Sequence, residues 1–165
     1  MLISSLIMAV LLAADQLSKM VVHHMIEPRQ IIPFIPNMIE LTFVRNKGVS
    51  FSFLADLPDA FRLPLLIGVS SVAVVGMLYY LFRYWDQTDI YLKGGFVLII
   101  PGAFGNLIDR VAYGAVTDFM HFHWYDQSFF VNNVADCFIS IGVIGFLLSY
   151  LAEHRKRKAQ ATEPQ

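Results

Sequence analysis

The stretch Gly102-Ala-Phe-Gly-Asn-Leu-Ile-Asp-Arg-Val-Ala-Tyr-Gly-Ala-Val-Thr-Asp-Phe119 decides the architecture of this 165-residue chain. It completes an apolar run that begins at Phe96, yet it carries four polar side chains: Asn106, Asp109, Arg110 and Asp118. A second stretch, Asn132-Asn-Val-Ala-Asp136, opens the last long apolar segment. Charges inside or at the rim of membrane-length helices are costly, so each of them is a candidate functional residue.

Composition places the chain among integral membrane proteins. Apolar residues make up 56% and charged residues only 15%, whereas soluble domains carry about a quarter charged residues. The formal net charge of −1 gives no indication of nucleic-acid binding. The single cysteine, Cys137, excludes an internal disulfide framework. Because it lies among apolar neighbours with no obvious base, it is interpreted as a packing residue.

Four apolar segments predict one integral membrane domain, an all-α bundle of four transmembrane helices. They are residues 2–22, 61–82, 94–112 and 131–152. Each has about the 20 residues needed to cross a ~30 Å hydrocarbon core. A cleavable signal peptide is the alternative for the first segment, but it lacks a basic leading region and a small-residue cleavage site. Asp15 and Lys19 share one face of this helix, so that face should point into the bundle.

The segment 27–60 predicts a small β-rich loop between the first two spans. Residues 38–44 alternate apolar and polar side chains, and Ser50-Phe-Ser-Phe53 alternates again after a turn at 46–48. We therefore expect a hairpin with a positive φ at Gly48. The sheet either lies passively at the membrane surface or forms a cradle that grips a substrate. Residues 113–130, rich in aromatic and histidine side chains, are interpreted as a second loop.

The basic segment His154-Arg-Lys-Arg-Lys158 sets the expected orientation in the membrane. Lys and Arg concentrate on the cytoplasmic side, so with four spans both chain termini should be cytoplasmic. The tail 153–165 is then cytoplasmic, and we expect its polar end to be disordered. The loops 27–60 and 113–130 face outward.

This topology brings Asp118 and Asp136 to one level of the outer leaflet. Span three ends just before Asp118, and at ~1.5 Å per residue Asp136 lies roughly 7–8 Å inside the outer end of span four. Two carboxylates that share a site cannot both ionise readily, so one keeps its proton while the other accepts a proton from water. This is the chemistry of aspartic proteolysis. A proton or ion pathway would use the same carboxylates, and a structural pair is the third interpretation.

The other polar residues of span three have a structural interpretation. Asn106 lies three residues from Asp109 and four from Arg110, so each pair can share a helical face. Together with Asp15 they would tie spans one, three and four to one another.

A metal site is one interpretation of the histidines after span three. His121 and His123 with Asp126 offer metal-binding side chains, but the spacing is weak evidence. Beside Trp124 and Tyr125, an interfacial aromatic belt is the favoured interpretation.

Five motifs, in order along nearly the whole chain, resemble those of the lipoprotein signal peptidases (signal peptidase II), bacterial inner-membrane aspartic peptidases. They are Asp15-Gln-Leu-Ser-Lys19, Asn46-Lys-Gly-Val-Ser-Phe-Ser52, Gly105-Asn-Leu-Ile-Asp-Arg110, Val116-Thr-Asp-Phe119 and Asn133-Val-Ala-Asp136. Each motif alone is weak evidence, but their joint order and spacing are specific.

The resemblance implies an aspartic endopeptidase that removes signal peptides from diacylglyceryl-modified prolipoproteins by cutting before the lipidated lipobox cysteine. The family's catalytic pair falls on Asp118 and Asp136. Substrate-binding or supporting roles fall on nine further residues: Asp15, Lys19, Asn46, Gly48, Asn106, Asp109, Arg110, Asn133 and Ala135. The family's outer strands form an extracytoplasmic β-cradle. Membrane lipid and globomycin-type inhibitors are the other expected partners, and no metal or organic cofactor is implied.

Overall fold

The computed structural model describes residues 1–28, 30–48 and 57–162, and this part of the chain contains four helices long and apolar enough to cross a membrane. They are α1 (Leu2–Met25), α2 (Asp59–Arg83), α3 (Ile90–Tyr113) and α4 (Val134–Thr162). A short 3₁₀ turn at Trp85–Gln87 joins α2 to α3. The predicted four-helix transmembrane bundle is confirmed.

The third helix begins four residues earlier than the sequence predicted, because Asp89 caps it. The Asp89 carboxylate accepts the N–H groups of Tyr91 at 2.8 Å and Leu92 at 3.1 Å. An N-cap of this kind satisfies backbone donors that have no partner inside the helix. At the other end Gly114, with φ +71°, adopts the left-handed conformation that ends many helices.

The fourth helix differs from its predicted bounds at both ends. It begins at Val134 rather than at 131, because a strand occupies the preceding residues. It continues to Thr162, so most of the expected disordered tail is helical. Arg, Lys, Ala and Gln favour helices, and Glu153 and Arg157 add an ion pair across one turn.

Four antiparallel strands form one sheet in the order β1-β2-β3-β4. They are β1 (Ile32–Ile35), β2 (Ile39–Asn46), β3 (Val116–Trp124) and β4 (Gln127–Asn132). The strand predicted at 38–44 is confirmed as β2, but it pairs with β1 and β3. Its predicted partner at 50–53 lies outside the described residues. The interpretation of 113–130 as a loop is wrong, because that segment contains β3 and most of β4.

A bulge in β2 sets the register beside the site. The pairing shifts between Leu41 and Val44, after which Val44 pairs with Asp118 and Asn46 with Val116. Side chains two residues apart on a strand share a face. The side chains of Asn46 and Asp118 therefore project from the same face of the sheet.

The third helix is the centre of the bundle, since it packs against each of the other three. Glycines allow α3 and α4 to approach closely: a Cβ at Gly102 would lie 2.6 Å from the Ala135 carbonyl oxygen, and one at Gly142 would lie 2.8 Å from the Gly95 carbonyl oxygen. In lipid no hydrophobic force drives helices together, so the close packing that small residues allow stabilises such crossings. This contact fixes the start of α4 against α3.

Candidate active site

A cavity of about 590 Å³ opens at the sheet end of the bundle, and both predicted catalytic carboxylates line it. Asp118 reaches the cavity from β3, and Asp136 reaches it from the first turn of α4. Asn46 of β2, Asn132 of β4 and the α3 residues Asn106 and Arg110 complete the polar part of the wall. The structure therefore brings together the two aspartates that the sequence singled out.

The Asp118 carboxylate is buried and accepts a hydrogen bond at each oxygen. Asn133 Nδ2 donates to Oδ1 at 2.6 Å, and Asn46 Nδ2 donates to Oδ2 at 2.8 Å. Burial raises the pKa of Asp118 from 3.8 to about 6; the negative charge of Asp136 acts in the same direction, and the two asparagine hydrogen bonds oppose it. Asp118 is thus suited to hold a proton at a pH where an exposed aspartate is ionised.

Asp136 and Asn133 form a reciprocal cap at the start of α4. The Asp136 N–H donates to Asn133 Oδ1 at 3.0 Å, and the Asn133 N–H donates to Asp136 Oδ2 at 3.2 Å. In this capping box each side chain satisfies a backbone donor of the other residue. The expectation that Asp136 lies roughly 7–8 Å inside the span is wrong, because the helix begins only two residues before it. Asp136 lies at the helix mouth instead.

Three asparagines are held with their NH₂ groups toward the carboxylates. Each amide oxygen is occupied by a donor, namely the Gly48 N–H for Asn46 at 2.9 Å, Lys19 Nζ for Asn106 at 3.0 Å and the Asp136 N–H for Asn133 at 3.0 Å. The opposite end of each amide must then face an acceptor. Asn106 Nδ2 donates to Asp136 Oδ1 at 2.9 Å, and the other two asparagines bind Asp118.

A buried ion cluster holds the backbone beside both aspartates. Lys19 Nζ lies 2.9 Å from Asp15 Oδ2 and 3.2 Å from Asp109 Oδ2, and all three side chains are at most 3% exposed. The Ala135 N–H donates to Asp15 Oδ1 at 2.9 Å, and the Thr117 N–H donates to Asp109 Oδ2 at 2.9 Å. Ala135 and Thr117 immediately precede the two aspartates. The Lys19 ammonium group thus fixes the main chain next to Asp118 and Asp136 through two intervening carboxylates.

Two glycines leave the space that these contacts require. A Cβ at Gly105 would clash with the Asp15 carboxylate. Gly48 has φ +97°, which confirms the predicted positive φ, and a Cβ there would clash with Leu66. Ala135 is fully buried, so its small side chain suits the crossing of α3 and α4.

Arg110 projects a partly unsatisfied guanidinium into the cavity. Its Nη1 donates to the Asn106 carbonyl oxygen at 3.4 Å, while its Nε is buried and has no acceptor among the described residues. Leaving a buried donor without a partner costs about 1–3 kcal/mol. Arg110 therefore borders the cavity outside the ion cluster of Lys19, Asp15 and Asp109, and its buried Nε is not itself exposed to the cavity.

Comparison with known proteins decides the family. The profile of the family described as Signal peptidase (SPase) II matches residues 7–152. The chain belongs to the signal peptidase II family. The resemblance read from the five motifs is thereby confirmed, and the signal peptidase II motifs are the segments that supply the two aspartates, the three asparagines and the buried ion cluster.

Relatives and solved structures agree with this membership. The chain is 39% identical to the lipoprotein signal peptidase of Syntrophotalea carbinolica over 143 residues, 87% of this chain and 86% of that protein. It is 34% identical to the lipoprotein signal peptidase of Streptococcus pneumoniae over 151 residues, 92% of this chain and 94% of that protein. A solved bacterial membrane enzyme shares the fold with a TM-score of 0.79 at 24% identity, covering 98% of this chain and 93% of that one.

The histidines of β3 lie outside this signal peptidase II site. His121 Nδ1 is 3.2 Å from Glu40 Oε2, and His123 Nε2 is 3.7 Å from Glu40 Oε1. The residues that the structure describes include no group of three His, Cys, Asp or Glu side chains arranged to hold a metal ion. The histidines therefore pair with a carboxylate of β2, a partner that the sequence did not indicate.

One site contact escaped the sequence analysis entirely. His23 Nε2 lies 2.8 Å from Thr117 Oγ1, and the His23 ring packs against Phe43 and Tyr113. The contact joins the end of α1 to the strand residue beside Asp118. No local signal could have revealed it, because His23 and Thr117 are 94 residues apart.

Proposed function

We propose that this protein removes signal peptides from diacylglyceryl-modified prolipoproteins, cutting before the lipidated cysteine, and that Asp118 and Asp136 are its catalytic pair. Membership of the signal peptidase II family supports the reaction. The observation that carries the residue assignment is the pair of carboxylates on one cavity, one of which has its pKa raised to about 6. A dyad needs one protonated and one ionised member.

In the proposed mechanism Asp118 holds the shared proton and Asp136 is ionised. Asp136 accepts a proton from a water molecule as the water oxygen attacks the scissile carbonyl carbon, and Asp118 donates its proton to the carbonyl oxygen. The tetrahedral intermediate then breaks its C–N bond. The leaving nitrogen takes the proton from Asp136, and Asp118 recovers its own from a hydroxyl of the intermediate. The products are a carboxylic acid and an amine, and the dyad returns to its starting state.

The neighbouring residues position the dyad and the peptide. The oriented amides of Asn46, Asn106 and Asn133 hold the two carboxylates without adding charge. Preorganised groups of this kind lower the barrier because they need not rearrange during the reaction. Arg110 lines the cavity, and its terminal nitrogens are assigned donation to a substrate carbonyl, a contribution to binding rather than to proton transfer.

The proposed setting is the bacterial cytoplasmic membrane, with both termini cytoplasmic and the site toward the outer face. The basic end of α4, from His154 to Lys158, supports this orientation through the positive-inside bias. The sheet then lies at the outer membrane surface as the expected β-cradle. Lipid chains of the substrate and globomycin-type inhibitors would reach the cavity from that side.

Cleavage of a synthetic diacylglyceryl prolipoprotein by purified protein tests the proposal. Asp118→Asn and Asp136→Asn should each lower kcat at least ~100-fold, the scale of general acid–base catalysis. Asp126→Asn is the matched control, because Asp126 is exposed in the turn between β3 and β4. Mass spectrometry of the products locates the cut bond.

Near-normal turnover by either dyad variant would remove that aspartate from the mechanism. A proton-selective flux in liposomes that depends on both aspartates, without peptide cleavage, would favour a carrier instead. The position of both carboxylates at one end of the bundle argues against a carrier, since a pathway needs polar groups along its length.

A further inference from the structure

Four consecutive residues of β4 line the catalytic cavity: Phe129, Phe130, Val131 and Asn132. Successive side chains of a strand point to opposite faces of the sheet. The pairing of β4 with β3 shifts between Ser128 and Phe130 but is regular from Phe130 to Asn132, so a cavity lying over one face would be lined by Phe130 and Asn132 without Val131. A cavity lined by an unbroken run faces the edge of the strand and is open to its main chain.

The outer edge of β4 has no partner strand among the residues that the structure describes. The sheet order places β4 at one end, where only its inner edge pairs with β3. Among the described residues, no other backbone hydrogen bond involves 127–132. Unpaired N–H and C=O groups along an edge strand form a template on which an extended peptide can add as a further strand.

The open edge leads directly to the two aspartates. β4 ends at Asn132, and the next residue, Asn133, donates to Asp118 and caps the helix turn that carries Asp136. At ~3.3 Å per residue, the four lining residues span about 13 Å. That length matches about four residues of an extended peptide running toward the carboxylates.

We propose that the peptide substrate binds as an added strand on the outer edge of β4, with its scissile bond at the Asn133 end. The ligand class is an extended peptide with apolar side chains, because Phe129, Phe130 and Val131 flank the edge. Main-chain pairing supplies affinity that depends little on side-chain identity, and the flanking side chains supply the apolar preference. This inference rests on the proposed peptidase function and adds the mode of substrate binding.

An amide-to-ester scan of the substrate tests the pairing directly, with the wild-type enzyme unchanged. Each variant of a synthetic diacylglyceryl prolipoprotein replaces one N–H near the cut by an oxygen, leaving the scissile amide intact. In an added strand every second N–H points to the neighbouring strand. KM should therefore rise about 3- to 10-fold when the ester replaces every second residue, the effect expected from the loss of one backbone hydrogen bond. At the intervening residues KM should stay unchanged.

Photo-crosslinking locates the peptide on the correct edge of the sheet. A benzoylphenylalanine is placed at Phe129 or, as the matched control, at Phe34 on the opposite edge strand β1; the two side chains are 63% and 65% exposed. Both probes are introduced into the Asp136→Asn protein, which should retain the substrate. Crosslinks should form at 129 and not at 34.

The outcomes separate the binding mode from the function. Wild-type cleavage with no alternation in the ester scan, or with crosslinks at 34 alone, would overturn strand addition and leave the peptidase assignment standing. If the wild type fails to cleave the unmodified substrate, the proposed function is wrong, and strand addition of that substrate is wrong as well.

Discussion

At the scale of single residues, oriented amides rather than cations contact the Asp118 carboxylate among the described residues. Asn46 and Asn133 each offer Asp118 one NH₂ group, while a donor on each amide oxygen prevents the opposite orientation. Two neutral donors stabilise the ionised carboxylate less than a cation would. Burial therefore prevails, and the pKa of Asp118 is raised to about 6.

The raised pKa predicts how stability depends on pH. The folded protein binds the Asp118 proton more tightly than the unfolded chain, whose carboxyl titrates near 3.8. The contribution of this group to folding is therefore complete below about pH 4, declines as the pH rises through about 6, and is constant above. The total decline for a shift of this size is about 3 kcal/mol.

Thermal unfolding of wild type and Asp118→Asn from pH 3.5 to 8 measures this effect. The Asn side chain does not titrate, so the wild-type melting temperature should fall relative to the variant between about pH 4 and 6. Above pH 6 the two curves should run parallel. A constant difference across the whole range would show that Asp118 titrates as an exposed aspartate does.

At the scale of elements, the contact between α3 and α4 controls where Asp136 lies. A Cβ at Gly102 would be 2.6 Å from the Ala135 carbonyl oxygen, which belongs to the backbone and can move only with the helix. The residue that follows Ala135 is Asp136, one member of the proposed catalytic pair. A change in one helix is thus transmitted to the site through main-chain contact.

We expect Gly102→Ala to reduce kcat at least ~10-fold, since a displacement of about 1 Å can cost 100-fold. Gly94→Ala is the matched control on the same helix, because a Cβ there meets no atom within 4 Å. That control should keep full activity and gain up to about 1 kcal/mol of stability from its higher helix propensity. Equal activity of both variants would mean that α4 shifts without moving the dyad.

The elements also show what local sequence signals can and cannot reveal. The four spans and β2 follow from apolar length and alternation. β3 was not predicted, because its first four residues are all buried and lack the alternation of a one-sided strand, and only Met120 to Trp124 alternates. Tyr125 in the β3–β4 turn has φ +50°. The position is not a glycine or asparagine, the residues that usually predict such a turn.

The start of α4 is marked in the sequence by a helix-capping pattern. Asn133-Val-Ala-Asp136 fits the capping pattern of a polar N-cap followed three residues later by an acidic side chain. The contact between Asp15 and the Ala135 N–H joins residues 120 positions apart, so only the folded chain reveals it. The pairing of Asp118 with Asp136 was therefore predictable from the sequence, and the resemblance also implied supporting roles for Asp15 and Ala135, but not the contact between these two residues.

At the scale of the whole molecule, Lys19 connects α1 to three of the elements that carry the site: α3, α4 and β3. Its ammonium contacts Asp15, Asp109 and Asn106, which in turn bind α4, β3 and Asp136. A buried charge of this kind is tolerated because it is fully paired. Removing it leaves two carboxylates without a cation.

We expect Lys19→Met to lower the free energy of unfolding by about 3–5 kcal/mol, the cost of breaking a buried ion pair. Lys156→Met is the matched control, because Lys156 is exposed near the end of α4. Thermal unfolding in the same detergent compares the two variants with wild type. A loss no greater than that of the control would show that the cluster contributes little to stability.

The capping of α4 by Asp15 has a consequence for biogenesis. During synthesis α1 leaves the ribosome first and α4 last, yet the two must meet before the backbone beside Asp136 is held. A nascent chain that has inserted only its first three helices lacks Asp136 and the Ala135 N–H group that donates to Asp15. The site is therefore incomplete throughout membrane insertion, and it forms only in the final assembly step, when α4 packs against α1 and α3.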